Sequence, residues 1–144
     1  MIATARSANE AFVRELGAVV TIDHTKEDLV GSVLFAHPDG IEAVVDVVSD
    51  REALGRIAGL VKRGGSVATS VYATDAESLA KRGIEATNIS ARPDARRLTE
   101  LARLVDAGEI SVRLESTFPL EKAPEALEQS RTGHVRGKLV LLAD

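Results

Sequence analysis

Short apolar runs alternate along this chain with stretches in which apolar residues recur at helical spacing. The apolar runs predict strands at 2–4, 19–22, 43–48, 66–71, 84–89, 111–118 and 138–143. The stretches between them predict helices beginning at Ser7, Thr25 and Asp94, and helices over 50–61, 75–82 and 121–129. Strands that alternate with helices indicate βαβ units, so we expect the α/β class with a Rossmann-like parallel sheet and helices on both faces.

Local patterns refine four of these elements. Ser7 and Glu10 have the spacing of a capping box, which predicts that each side chain bonds the other's backbone. The run 43–48 is almost wholly apolar, as expected for a strand covered on both faces. Gly64 and Gly65 are interpreted as a turn that ends the helix over 50–61. The helix from Asp94 is predicted to bury an apolar face formed by Leu98, Leu101, Leu104 and Val105.

Composition and charge then exclude several classes of function. The 144 residues suit one soluble domain, and the net charge of −4 without a basic run argues against nucleic acid as a partner. No cysteine is present, and His24, His37 and His134 lie too far apart to form a metal motif by spacing. No apolar run is long enough to span a bilayer and no signal peptide is recognisable, so we expect a cytoplasmic protein without a membrane partner.

Six segments in a fixed order carry a family resemblance. They are ATARSANEAFVRELGA, VTIDHTKEDL, GIEAVVDVVSD, LVKRGGSV, FPLEKAPEALE and GHVRGKLVLL. Together they resemble the C-terminal, cofactor-domain part of medium-chain dehydrogenases/reductases, which are alcohol dehydrogenase-like enzymes. The closest branch is the zinc-free quinone oxidoreductases and enoyl reductases. The resemblance implies hydride transfer from NADPH to a quinone or an α,β-unsaturated carbonyl compound.

The chain also departs from that family. It begins at what would be the second Rossmann strand, and no G-x-G-x-x-G loop is present. The resemblance therefore predicts the strand order 3-2-1-4-5-6 with strand 1 missing, which would leave its two neighbours about 9.6 Å apart, twice the usual spacing of about 4.8 Å. It further implies a partial dinucleotide-binding domain over 1–110 and a segment over 111–144 that completes the catalytic domain in intact members. Without the preceding parts, the isolated chain is expected to be inactive.

The end of the first strand is the predicted cofactor-specificity position. Enzymes specific for NAD place an acid there, whereas an arginine nearby suits the 2′-phosphate of NADPH. Here Ala5 takes the acid's place and is followed by Arg6 and Ser7, which favours NADPH, with Arg6 donating to the phosphate. The alternative is that Arg6 is a solvated surface residue and Ser7 only caps a helix.

The resemblance implies further cofactor contacts at the ends of later strands. His24 takes the place of an aromatic residue near the adenosine, while the pairs Val48–Ser49 and Ser70–Val71 face the nicotinamide ribose and carboxamide. Arg131, in a basic cluster with His134, Arg136 and Lys138, reaches a phosphate. In each case the alternative is an ordinary loop or strand end. No residue is assigned as a catalytic proton donor, and no metal ligand is predicted.

The resemblance also implies an association between copies of the chain. It implies a homodimer that pairs the strand Ile84–Ile89 with its own copy, and this strand has no proline or lysine to block pairing.

Two alternative functions stay open. One is a non-catalytic nucleotide-binding or association module from a truncated or split gene. The other is a different Rossmann enzyme, such as a methyltransferase.

Overall fold

A computed structural model describes residues 1–143 as an α/β protein in which every paired strand is parallel. The predicted fold class is thereby confirmed. One compact unit covers Met1–Ala91, and a second begins at Arg92. The functional division at residue 110 stays a prediction, because compactness does not test which residues complete a catalytic domain.

The first unit contains five strands and four α-helices. The strands are β1 (Ile2–Thr4), β2 (Val20–Ile22), β3 (Ile41–Asp46), β4 (Val61–Thr69) and β5 (Glu85–Asn88). The helices are α1 (Glu10–Glu15), α2 (Leu29–Ala36), α3 (Arg51–Ala58) and α4 (Ala76–Lys81), and a 3₁₀ turn over Ser7–Asn9 precedes α1. The last three helices begin after an aspartate whose carboxylate accepts from a backbone N–H of the first turn, as N-cap residues do: Asp28, Asp50 and Asp75.

These strands form two hydrogen-bonded sheets rather than one. The first pairs β1 with β2, and the second has the order β3-β4-β5. In the predicted order 3-2-1-4-5-6, the strands β1 to β5 of this chain take the places of strands 2 to 6. Without strand 1, that order becomes β2-β1, then a gap, then β3-β4-β5, which is the pairing observed. The absence of one central strand therefore divides the sheet without changing the pairing of the others.

Two clusters of buried apolar residues support the first unit. The larger packs α3 and α4 against the second sheet around Leu54, Val67 and Ile84. The smaller contains Ile22, Val33 and Leu60, with four further residues half-buried against it, among them Ile2 of β1 and Ile41 of β3. Because strands of both sheets contact this smaller cluster, the two sheets share a core.

Three predicted features of the first unit are wrong. Val45 of β3 is 76% exposed, so this strand is not covered on both faces; it lies at the sheet edge where a neighbour is missing. Helix α3 ends at Ala58, and Gly64 and Gly65 lie inside β4 rather than in a turn. A Cβ at Gly65 would lie 2.4 Å from the Glu42 carbonyl oxygen, so glycine permits the close approach of β4 to β3.

The second unit is a short βαβ arrangement preceded by a helix. After α5 (Ala95–Asp106), strand β6 (Leu114–Pro119) leads through α6 (Ala123–Arg131) to a parallel partner, β7 (Lys138–Leu142). The predicted burial of the α5 apolar face is wrong, because the helix has no buried residue and Leu98 is 62% exposed. Helical periodicity predicts an apolar face but not whether another element covers it.

Candidate functional site

The carboxyl ends of the strands in the first unit carry most of the predicted cofactor residues. Parallel strands of one sheet end at the same edge, which is where open α/β sheets bind ligands. The predicted residues that lie within three positions of these strand ends are Arg6 and Ser7 after β1, His24 after β2, Val48 and Ser49 after β3, and Ser70 and Val71 after β4. Within each sheet, the structure therefore places these residues at one edge, as the sequence predicts.

The ends of β1 and β2 are joined through a buried aspartate. The Asp23 carboxylate accepts from the Ser7 N–H at 2.7 Å and also from the Ser7 hydroxyl. It accepts from the Thr25 N–H at 3.0 Å and from the Thr25 hydroxyl at 2.6 Å. These hydrogen bonds, above all that from the Ser7 hydroxyl, hold the pKa of the Asp23 carboxyl well below its ordinary value. Asp23 is therefore ionised and fixes the position of Ser7.

This arrangement corrects the predicted capping box. The Ser7 side chain bonds Asp23 rather than the Glu10 backbone, and Glu10 instead pairs with Arg14 at 3.0 Å. The reason is that Ser7 begins a 3₁₀ turn, where a charged acceptor from β2 lies within reach. The sequence analysis missed Asp23. A buried carboxylate needs several hydrogen-bond donors around it, and Ser7 and Thr25 provide such donors.

Two basic side chains flank Ser7. Arg6 is exposed directly beside it in the chain. The Lys26 amine lies 2.9 Å from the Ser7 hydroxyl oxygen and 3.7 Å from the Asp23 carboxylate. Lys26 was not singled out from the sequence, because its three-residue spacing from Asp23 reads as an ordinary surface pair. The end of β1 therefore has an apolar residue, Ala5, where NAD-specific sites have an acid, and two cationic side chains, Arg6 and Lys26, beside the ionised Asp23.

A small cavity lies behind this point. It has a volume of about 200 Å³ and is lined by Ala5, Ser7, Glu10, Arg14, Thr21, Asp23 and Glu27. Three carboxylates against one guanidinium make its lining acidic, which does not suit a phosphate. Since neither Arg6 nor Lys26 lines it, a phosphate at the end of β1 would be bound outside this cavity.

The ends of β3 and β4 are joined by a second buried aspartate. Asp46 is 7% exposed and accepts from the Ser49 hydroxyl at 2.7 Å and from the Thr69 hydroxyl at 3.3 Å. Thr69 is fully buried, and its hydroxyl oxygen also accepts from the Val71 N–H at 3.2 Å. This network holds Ser49 and Val71 in place. The sequence analysis assigned no role to Asp46, although a lone acid within an apolar strand indicates a buried network.

The loop after β4 has a strained backbone. Tyr72 adopts φ of 57°, in the left-handed region that residues with a side chain seldom occupy, and its ring is exposed. Two residues later, Thr74 is buried and its hydroxyl has no hydrogen-bond partner. Strained backbone concentrates at ligand sites, and this loop begins with the predicted contacts Ser70 and Val71.

Arg131, the remaining predicted contact, lies in the second unit. It is the last residue of α6, and its guanidinium pairs with Glu128 at 3.1 Å. This exposed pair is worth little on its own. Its proposed contact with a cofactor phosphate remains a prediction.

Residues 1–143 offer no group of three or more histidine, cysteine, aspartate or glutamate side chains that could hold a metal ion. A catalytic zinc site needs three protein ligands, so the described residues do not fit one. None of the helices among these residues is long and apolar enough to cross a membrane.

Known dehydrogenases and oxidoreductases are similar to this chain. A family model described as zinc-binding dehydrogenase matches residues 16–141. A probable zinc-binding oxidoreductase, mitochondrial, from Arthroderma benhamiae is 27% identical over 98% of the chain and 43% of its own length. The human NAD(P)H oxidoreductase RTN4IP1, mitochondrial, is 50% identical over 44 residues, which are 31% of this chain and 11% of that protein.

A solved structure agrees over almost the whole chain. The quinone oxidoreductase from Coxiella burnetii superposes with a TM-score of 0.81 and 27% identity, covering 99% of this chain and 44% of that one. The chain thus spans less than half the length of the proteins that it matches throughout.

Proposed function

Since this chain belongs to the zinc-binding dehydrogenase family, we propose that it is the cofactor-domain part of an NADPH-dependent oxidoreductase that reduces a quinone or an α,β-unsaturated carbonyl compound. The quinone oxidoreductase that matches 99% of the chain supports this substrate class. When bound, NADPH would supply the hydride, and the protein would supply position and charge.

The observation that carries the choice of NADPH is the end of β1. Ala5 offers no carboxylate to a ribose 2′-hydroxyl, and the exposed Arg6 follows it. Arg6 would donate to the 2′-phosphate, and Lys26, beside the Ser7 hydroxyl, would add a second positive charge. Ser7 would then take part through an oxygen that Asp23 already orients. His24 is exposed after β2 and would lie against the adenosine.

The nicotinamide end of the cofactor would lie at the ends of β3 and β4. Val48 is exposed there, and the Asp46 network orients Ser49 and Val71. Ser70 completes this set, its N–H donating to the Asp46 carbonyl oxygen at 3.1 Å. The pyrophosphate-binding glycine loop and the catalytic domain are outside this chain's sequence. We therefore propose that residues 1–144 alone do not turn over substrate.

Assembly and location belong to the same proposal. A homodimer would form through the strand matching Ile84–Ile89, observed as β5 at the edge of the second sheet. The Ile89 N–H donates to the Thr69 carbonyl, so alternate residues including Thr87 face β4, while Ala86 and Asn88 present their N–H groups to the open edge. Ala86→Pro would therefore test the dimer, because it removes an N–H at the open edge. Thr87→Pro would instead remove an N–H that faces β4. We place the enzyme in the cytoplasm, with the mitochondrial location in the relatives' names as the alternative.

Steady-state kinetics test the proposal in the complete enzyme. The kcat/KM for NADPH should exceed that for NADH, and Arg6→Ala should cost NADPH about 1.5–3 kcal/mol, the range of a charge-assisted hydrogen bond, while NADH is nearly unchanged. Equal losses for both cofactors would remove Arg6 as the 2′-phosphate ligand.

A non-catalytic nucleotide-binding or association module is the second candidate. The absence of a glycine-rich loop from the sequence favours it, because the strand ends alone do not hold a pyrophosphate. NADPH oxidation with a quinone by the complete enzyme, above the enzyme-free rate, would exclude this alternative.

A further inference from the structure

We propose that Tyr72 is the residue that selects a quinone over an open-chain α,β-unsaturated carbonyl compound, by stacking against the ring of the bound substrate. The inference rests on the proposed function, which leaves both substrate classes open, and it decides between them. Tyr72 follows the predicted contacts Ser70 and Val71 at the carboxyl end of β4. That end of the strands is where open α/β sheets bind ligands.

The backbone is anchored on both sides of Tyr72. Before it, the Val71 N–H donates to the hydroxyl of the fully buried Thr69 at 3.2 Å. After it, Ala73 and Thr74 are again buried. Tyr72 reaches the surface between these anchors, and its side chain is 55% exposed. The loop therefore presents one aromatic ring on a backbone that has little freedom to move.

The loop bears two local costs to hold the ring there. Tyr72 has φ of 57°, in the left-handed region, where a glycine would avoid the strain. The hydroxyl of Thr74 is buried without a hydrogen-bond partner. Within residues 1–143, the Tyr72 side chain makes no hydrogen bond that offsets these costs. Strained backbone and unpaired buried groups are typical of a segment that is held for a ligand rather than for stability.

The surface around Tyr72 is apolar and uncharged. It is formed by the ends of the paired strands β3 and β4, where residues 47–49 and 70–74 contain no charged side chain. Val48 is 82% exposed, and Val71 is 42% exposed. A neutral, apolar ring would cover these valines and gain free energy from their burial, whereas a charged ligand would find no partner here.

The electronic character of the two rings matches this surface to a quinone. The phenol ring of Tyr72 is electron-rich and the ring of a quinone is electron-poor, and planar rings stack in offset pairs that contribute beyond the area that they bury. An open-chain unsaturated carbonyl compound has no ring to stack. The proposed nicotinamide contacts end at Val71, so Tyr72 is the next side chain along the loop and would meet the acceptor.

Tyrosine fluorescence of this chain tests the contact directly. The sequence has one tyrosine and no tryptophan, so the emission reports Tyr72 alone. The probe is duroquinone, whose ring carbons are fully substituted by methyl groups and so do not add to amines. We expect quenching that saturates and leaves the fluorescence lifetime unchanged, which marks a ring bound against the phenol. Quenching that shortens the lifetime in proportion, as collisions with free N-acetyltyrosinamide do, would overturn the proposal, and so would no quenching.

Two exposed valines provide a matched pair of variants. Val48→Ser removes an apolar neighbour at the end of β3 and should raise the half-saturating concentration of duroquinone about threefold. Val19→Ser changes a valine that is 71% exposed beside the first sheet, and it should leave that concentration as in the parent. Equal effects of the two variants would overturn the assignment of this surface.

Steady-state kinetics of the complete enzyme separate this inference from the proposed function. Tyr72→Leu keeps an apolar side chain at the same backbone position but removes the ring, whereas Tyr72→Phe keeps the ring. We expect Tyr72→Leu to lower kcat/KM for duroquinone about fivefold, the scale of one stacked aromatic pair, and to leave the open-chain enone mesityl oxide nearly unchanged. Tyr72→Phe should retain the parent values for both substrates.

The outcomes of these experiments distinguish the two claims. Equal losses for the two substrates in Tyr72→Leu, or no loss for either, would overturn the role of Tyr72 while NADPH-dependent reduction stands. If the complete enzyme reduces neither substrate, the proposed function fails, and the fluorescence titration still decides whether Tyr72 binds a quinone ring.

Discussion

The carboxylate of Asp23 accepts both the backbone N–H and the hydroxyl of Ser7, and so ties the end of β2 to the turn that follows β1. Replacing Asp23 by Asn puts an NH₂ group, which is itself a donor, opposite N–H and hydroxyl donors of Ser7 and Thr25. We expect Asp23→Asn to lower the midpoint of thermal unfolding by several degrees. Ser7→Ala should lower it less, and the double variant should lose less than the sum, because both changes remove the same contact. Strict additivity in circular dichroism melts would contradict the shared contact.

The same carboxylate predicts a dependence of stability on pH. The folded state holds the pKa of Asp23 below its ordinary value of 3.8. Its stabilising contribution is therefore complete above pH 3.8 and is lost as the pH falls toward the folded-state pKa. The difference in unfolding midpoint between the parent and Asp23→Asn should be constant from pH 7 to about pH 5 and should shrink below about pH 4. A difference that grows on acidification would contradict this sign.

The buried network at β3 and β4 predicts a larger loss for Asp46 than for an exposed aspartate. Asp46→Ala leaves the buried Thr69 hydroxyl without its acceptor and should cost about 1–3 kcal/mol of unfolding free energy. Asp39→Ala, in an exposed turn, is the control and should stay within about 0.5 kcal/mol. Urea unfolding measures both, and equal losses would show that the Asp46 network is not stabilising.

Two glycines of the second unit separate backbone strain from steric overlap. Both have positive φ, but a Cβ at Gly137 would lie 2.2 Å from the Arg113 carbonyl oxygen, whereas a Cβ at Gly133 would meet nothing within 4 Å. Gly133→Ala should cost about 1 kcal/mol, the strain of the left-handed conformation. Gly137→Ala adds overlap with the backbone of the neighbouring segment and should cost about 1–3 kcal/mol more. Similar losses in urea unfolding would contradict the close approach.

The order of elements was predictable from the sequence, and the pairing of strands in the first unit was predictable through the family resemblance. Which elements are covered by others was not predictable. Periodicity locates β3 and α5, because the pattern that defines a strand or a helix lies within one segment of the chain. It predicted burial for Val45 and Leu98, which are exposed because no element among residues 1–143 covers them. Motif spacing likewise assigned Ser7 to a local cap, while its real partner, Asp23, is distant in sequence. The contacts that were missed are side-chain hydrogen bonds between the ends of neighbouring strands.

The most direct test of the central claim is a calorimetric titration of this chain with adenosine 2′,5′-bisphosphate and with adenosine 5′-monophosphate. If the end of β1 is an NADPH site, the bisphosphate should bind at least tenfold more tightly, equivalent to about 1.4 kcal/mol. Arg6→Ala should remove that preference, while Arg56→Ala, an exposed arginine paired with Glu52 on α3, should keep it. Equal affinity for the two nucleotides, or a preference that survives Arg6→Ala, would contradict the assignment of NADPH through Arg6.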